Sequence, residues 1–293
     1  MKIFLYAALL VPLAVLPQKI KGSVQDSISG EKLQLVNMSV VSDTYYYGSN
    51  SNLEGNYELN INGHNKDTIK ISHIGYKPKF IALNKFNENK DYVLDIKLQH
   101  EQVILEDVVV NAPKNVLRHK HVFKKRKEGN LSHFSLVGFE SACLIENPRK
   151  ELGRLKSLKL YVRKNAAADF IAKFRIKFYS YDAVNNKPGE NLLKEDLIIT
   201  PKNKTYQLVI DVENKQIPFP EDGVCVGVEL VDENNFSKKG DKIGPGLRFT
   251  YGEKDNLTWS NYRNNGWHSS RIHNRTHDKT ANLLVGLVVL MKD

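Results

Sequence analysis

Residues 55–74 read GNYELNINGHNKDTIKISHI. Tyr57, Leu59 and Ile61 take alternate positions with Glu58 and Asn60 between them, and Ile69 and Ile71 resume the alternation after NGHNKD. Successive side chains of a strand point to opposite faces, so this pattern predicts two half-buried strands joined by a turn, a surface and not a reaction centre. The same period recurs at Val36, Met38 and Val40, and again at Tyr92, Leu94, Ile96 and Leu98, where Asp95 and Lys97 face the other way. SGEK and SNLEGN supply the glycine and asparagine that turns require.

The later chain behaves alike. LKLYV (158–162), FRIKFY (174–179), YQLVI (206–210) and VCVGVEL (224–230) alternate or run apolar, with NNKPGE and PEDG as turns. TWSNYR, NNG and WHSSRI predict a β-hairpin. The apolar run NLLVGLVVLM (282–291) is short, rich in valine and followed by Lys292 and Asp293, which predicts a final buried strand. Few segments have helical periodicity, and the best candidate, residues 165–171, is barely two turns. The expected class is all-β.

At 293 residues the chain exceeds most single cores, so two domains are expected. With 41% hydrophobic and 26% charged residues it has the composition of a globular protein. The net charge of +10 is unevenly spread: −2 over residues 18–111, +6 over 112–130 and +5 over 131–293. The basic stretch APKNVLRHKHVFKKRKEGN lacks a strand or helix period and reads as a linker. At the start, Lys2 precedes an apolar run from Ile3 to Pro17 that is too short to span a bilayer stably, which predicts a signal peptide over residues 1–17. No cysteine follows it to carry a lipid, and no other run reaches spanning length. The boundaries expected are therefore 1–17, 18–111, 112–130 and 131–293. Cys143 and Cys225 both fall in predicted strands, where either a disulfide or two buried thiols would fit.

The blocks IKGSVQDSISGEKLQLVNMSV, NSNLEGNYELNI, TIKISHIGYKP and LEDVVVNAP, spread in that order over residues 20–111, resemble the carboxypeptidase regulatory-like domain of envelope proteins in Bacteroidetes-type bacteria, where it often precedes a TonB-dependent receptor. The resemblance implies a transthyretin-like β-sandwich in which Gly22 opens the first strand, Gly55 and Tyr57 form a turn and its core anchor, and Gly75 and Tyr76 belong to an S-x-x-G-Y element, here SHIGY. VSDTYYYGSNS departs from the family's usual glycine-threonine turn. After LEDVVVNAPK the chain lacks the many strands of a membrane barrel, so it is not expected to be a transporter. Its second half more loosely resembles jelly-roll-like modules, chiefly in FRIKFYSYDAVNNKPGENLL and IPFPEDGVCVGVELV.

Signs of chemistry are sparse. A zinc carboxypeptidase grips its metal with a His and a Glu close in sequence, yet none of the nine histidines has Glu three residues on, and His100-Glu101 begins an HExxH-like string that ends in Ile104. Phosphate-binding glycine loops and the GxSxG elbow are missing. His268, His273 and His277 cluster beside Asp278, but in a predicted strand and loop they read as solvated side chains, so neither a metal nor a cofactor is expected. HKHVFKKRK lacks stacking aromatics, and an exported chain is an improbable partner for nucleic acid; acidic envelope sugars or lipids suit it better. Trp259, Tyr262 and Trp267 share the hairpin and are the candidate ligand-binding residues, since indole and phenol faces stack on sugar rings; the same alternation would also allow the two tryptophans, Trp259 above all, to point inward as core.

The sequence thus predicts a non-catalytic exported protein of a Gram-negative envelope, periplasmic or at the outer-membrane surface, whose partners are envelope proteins or glycans. Its rivals are a carbohydrate-binding protein using the three aromatics and a hydrolase with an unrecognised site in the second domain. The last requires a concave pocket holding a carboxylate pair or a metal.

Overall fold

The computed structural model describes residues 18–41, 47–86, 90–101, 136–232, 242–250, 254–270 and 280–291, together with the backbone of 118–121 and 128–133. The expected signal peptide lies outside the described residues, as do His273, His277 and residues 42–46 of VSDTYYYGSNS. The chain is all-β: its only helical segments among the described residues are the single turns Leu83–Lys85 and Glu213–Lys215. No helix there is long and apolar enough to cross a membrane.

Strands up to residue 98 form two four-stranded sheets. In one, Lys19–Asp26 pairs antiparallel with Asn56–Asn60 and runs parallel to Tyr92–Val93 and Ile96–Leu98. The other has the order Gly48–Asn50, Asn37–Val40, Thr68–Ser72, Lys79–Ala82, with Met38 opposite Ile71. Ile20, Val24, Met38, Tyr57, Leu59, Ile71 and Leu98 fill the space between them. Tyr57 is the anchor expected of it: its ring is buried and its hydroxyl donates to Leu94 O at 2.8 Å. Gly22 has a steric reason, since a Cβ there would stand 2.1 Å from Leu94 O, closer than any side chain can approach a backbone oxygen.

The later strands form two seven-stranded sheets. Gly153–Arg163 pairs with the C-terminal strand Val285–Met291, whose seven residues are all buried, as predicted. Facing them is the sheet Lys187–Asn191, Lys173–Asp182, Val224–Val231, Phe139–Ile145, Thr258–Tyr262, His268–Ser269. Leu155, Leu158, Phe174, Ile176, Phe178, Val226, Val228, Leu287 and Val289 make the core between the sheets. The expected hairpin is present, with Arg263 and Asn264 at positive φ after Tyr262.

Two expectations change. Residues 165–171 are not helical: Asn165 Oδ1 accepts from Ala167 N at 3.0 Å in a turn that competes with helical pairing, and Phe170–Ile171 is a short strand parallel to Ile243–Gly244. Within 112–130, Arg118–His121 pairs with Val285–Met291, and Glu128–His133 begins there and pairs with Gly246–Thr250. A segment with little strand period of its own takes strand form when an open sheet edge offers backbone partners. Cys143 and Cys225 are buried free thiols. Cys143 sits opposite Val226 and Cys225 opposite Leu144 on neighbouring strands, so the two project from opposite faces of one sheet and cannot bond to each other.

Candidate functional site

Alternation along FRIKFY sends Phe174, Ile176 and Phe178 into the second core and leaves Arg175, Lys177 and Tyr179 on the outer face of the sheet. Pairing sets Arg175 opposite Glu229, and Glu229 opposite Glu140 on the next strand. These groups would meet water on an isolated sandwich. Instead the outer face of the first sandwich covers them, with Asn37, Ser39, Asn50 and Ser72 themselves buried.

Glu229 is the hub. Its Oε2 lies 3.1 Å from Arg175 Nη1 and 2.9 Å from Lys177 Nζ, and its Oε1 accepts from Asn37 Nδ2 of the first sandwich at 2.9 Å. Asn50 Nδ2 holds Asn37 in turn, at 2.6 Å. Lys177 reaches Glu140 Oε2 at 2.8 Å, and Tyr179 donates to Glu140 Oε1 at 2.8 Å. Glu140 reaches this position because residue 227 is glycine: a Cβ there would lie 2.3 Å from Glu140 Oε1. Arg175 ties the sandwiches a second time, donating from Nη2 to Leu35 O at 2.7 Å, while its Nε lies 3.1 Å from Asp196 Oδ1. His73, from the SHIGY element, approaches Asp196 from the first sandwich at 3.5 Å.

The environment drives the two glutamates apart. Burial alone would raise both carboxyls, because a charge in a low-dielectric interior loses hydration. At Glu229 the Lys177 and Arg175 charges outweigh burial and hold the carboxyl at about 2. At Glu140 burial wins over Lys177, helped by repulsion from Glu229, and the carboxyl is raised. Burial lowers Lys177 and Arg175, but the carboxylates outweigh it and both are raised, so the cations stay charged. A carboxylate pair split in this way is the arrangement of an acid-base site. Access argues otherwise: Glu140 and Glu229 are each 1% exposed.

Above this network a cleft of about 530 Å³ opens between the sandwiches. Its wall includes Ser72, His73 and Tyr76 from the first and Lys177, Tyr179, Glu190 and Trp267 from the second, but neither Glu140 nor Glu229. The three aromatics predicted as ligand-binding part company here. Trp259 is 4% exposed, packs with Leu144, Tyr179 and Cys225, and donates from Nε1 to Asn186 O at 2.9 Å. Tyr262 is buried against Phe139 with ring centroids 5.2 Å apart. Neither presents a stacking face: three residues apart in the Thr258–Tyr262 strand, the two project from opposite faces, and each is covered by neighbouring rings, Trp259 by Tyr181 at 6.1 Å and Tyr262 by Phe139. Trp267 alone of the three reaches the cleft, half-buried and edge-on to Tyr179 at 5.3 Å. His268 is exposed on its short strand.

Sequence reasoning missed the buried network. Its only local signal was a pair of cations at alternate positions in an otherwise apolar strand, which reads equally as a solvated face.

No curated protein matches the chain. Among solved structures, the cysteine protease and lectin-like domains of Cwp84, a surface-layer-associated protein of Clostridium difficile, align with TM-score 0.35 and 13% identity over 54% of this chain and 33% of that one. The chain thus spans about a third of that structure. A candidate carbohydrate-binding protein from Bacteroides uniformis gives TM-score 0.23 at 12% identity, covering 79% of this chain and 95% of that one. A DUF3823 family protein from Bacteroides ovatus gives 0.21 at 9% identity, covering 80% and 95%. Residues 20–110 match the family model of the CarboxypepD_reg-like domain, and the first sandwich, with its Gly22 crossing and buried Tyr57, is a domain of that family.

Proposed function

We propose that the protein is an exported, non-catalytic interaction module of a bacterial envelope, in which two sandwiches, divided near residues 112–130, are locked together as one stiff support for a binding cleft. The observation that carries this reading is the fate of the charges at the junction. Arg175, Lys177, Glu140 and Glu229 are bonded to one another and buried, the two glutamates lie outside the cleft wall, and the cleft above them is walled by both sandwiches. Such a network holds an orientation, whereas an acid-base pair must touch its substrate. The hydrolase reading has its carboxylate pair, but the cleft is lined by Lys177 and Tyr179, which hold Glu140, and not by the pair itself.

Two measurements test the proposal. Purified chain incubated with chromogenic peptide, ester and glycoside substrates is expected to give no turnover above buffer; turnover that disappears in Glu140→Gln would overturn the non-catalytic reading. Immobilised chain is expected to retain envelope protein or glycan from a detergent extract, and the chain recovered from cells is expected to begin after residue 17; a chain that stays unprocessed in the cytosol would overturn export. Glycan recognition is the second reading, favoured by Trp267 on the cleft wall.

A further inference from the structure

We propose that the cleft is a composite site for a neutral sugar, incomplete in either sandwich alone, with Trp267 and Tyr76 as its apolar walls and Ser72, Glu190 and Asn191 as its hydrogen-bonding groups. The inference rests on the binding reading above and adds a place and a ligand class to it.

Four observations converge. The volume, about 530 Å³, lies within the range of about 300–1,000 Å³ typical of small-ligand pockets. Both sandwiches line it, Ser72 and Tyr76 from one and Glu190, Asn191 and Trp267 from the other. Ser72 is 5% exposed, and its buried Oγ has no hydrogen-bond partner among the described residues, so the cleft presents a hydroxyl that a ligand can satisfy. The electrostatics disfavour an anionic ligand. Arg175 and Lys177, the cations at the base, are held by Glu229, Glu140 and Asp196, and on the wall Lys194 is outnumbered by Glu101 and Glu190. An anion would find no uncompensated pair of cations. A sugar ring answers all four features: its C–H face stacks on an indole or phenol and its hydroxyls both donate and accept.

The chain has two tryptophans, so Trp259→Phe leaves Trp267 as the only indole and makes its fluorescence a reporter of the cleft. The full chain carrying that change is titrated with maltose, cellobiose, lactose and N,N′-diacetylchitobiose, with digalacturonate as the acidic comparison, and unsubstituted protein is titrated in parallel by calorimetry in case the change perturbs folding. The expected result is a saturable signal with at least one neutral disaccharide and a weaker one with digalacturonate. Ser72→Ala is expected to weaken binding about fivefold, the loss of one hydrogen bond, and Trp267→Ala to abolish the calorimetric signal. Tighter binding of the acidic sugar, or no saturable response to any neutral one by either method, overturns the ligand class but leaves the envelope-capture experiment to judge the binding reading. Binding that survives both Ser72→Ala and Trp267→Ala undiminished overturns the cleft as the site.

Discussion

Lys177 stands between Glu140 and Glu229, 2.8 and 2.9 Å from their oxygens, and is itself buried. Removing the ammonium leaves two carboxyls buried with one cation fewer, a situation that typically costs about 3–5 kcal/mol. Lys177→Met is therefore expected to lower unfolding free energy by that amount in urea denaturation. Lys177→Met combined with Glu140→Gln should recover part of it, because the raised carboxyl of Glu140 is the member of the pair that most readily does without its charge. Additive losses in the double variant would show that the two do not act through each other. The pH dependence carries opposite signs at the two glutamates. Glu229, depressed from 4.5 to about 2, contributes stability that is complete above 4.5 and is lost as pH falls toward 2, about 3 kcal/mol for a displacement of that size. Asp196, also depressed, adds in the same direction. Glu140 is raised, so the fold binds its proton more tightly than the unfolded chain does, and its contribution weakens as pH rises through 4.5 and above. Glu229→Gln is expected to flatten the acid limb of a stability-against-pH curve, and an unchanged limb would remove Glu229 as its source.

The strand Lys19–Asp26 meets three partners, and Gly22 is where Leu94 O comes against it. Gly22→Ala forces a methyl into a backbone oxygen that is fixed by its own bond to Tyr57, so the sheet must open. Overpacking of this kind costs about 1–3 kcal/mol and more where backbone has to move. The expected sign is a loss of thermal stability with slower-forming β signal in circular dichroism; a variant as stable as the parent would mean that the crossing is looser than described. The elements themselves were largely legible from alternation. FRIKFY, VCVGVEL and the hairpin residues lie in strands, and the valine-rich C-terminal run is a buried strand. Trp259 and Tyr262 show the limit of that reading: period 2 tells which residues share a face, but not which face a neighbouring ring will cover. Arg118–His121 shows another, since its strand form comes from the edge of Val285–Met291 and not from its own side chains.

Because Asn37 and the Leu35 carbonyl of the first sandwich complete the hydrogen bonding of Glu229 and Arg175, neither outer face is satisfied alone. The two sandwiches are expected to unfold in one calorimetric transition, and chain truncated to begin at residue 112, which keeps the strands Arg118–His121 and Glu128–His133 of the second sandwich, should melt at lower temperature than the full protein. Two separate transitions in the full chain, or a truncated chain of equal stability, would dissolve the idea of a locked pair. Sequence alone determined the all-β class, the inward and outward sides of most strands, and the family of the first sandwich, because these depend on side-chain period and on local steric demands such as those at Gly22 and Tyr57. What the folded arrangement added was the destination of the outward sides. Asn37 and Glu229 are 192 residues apart in the chain, and nothing in a local pattern distinguishes a polar side chain bound for water from one bound for a partner sheet. That pairing, and with it the buried charges and the cleft they support, follows from the complementarity of two surfaces, which exists only once both have formed.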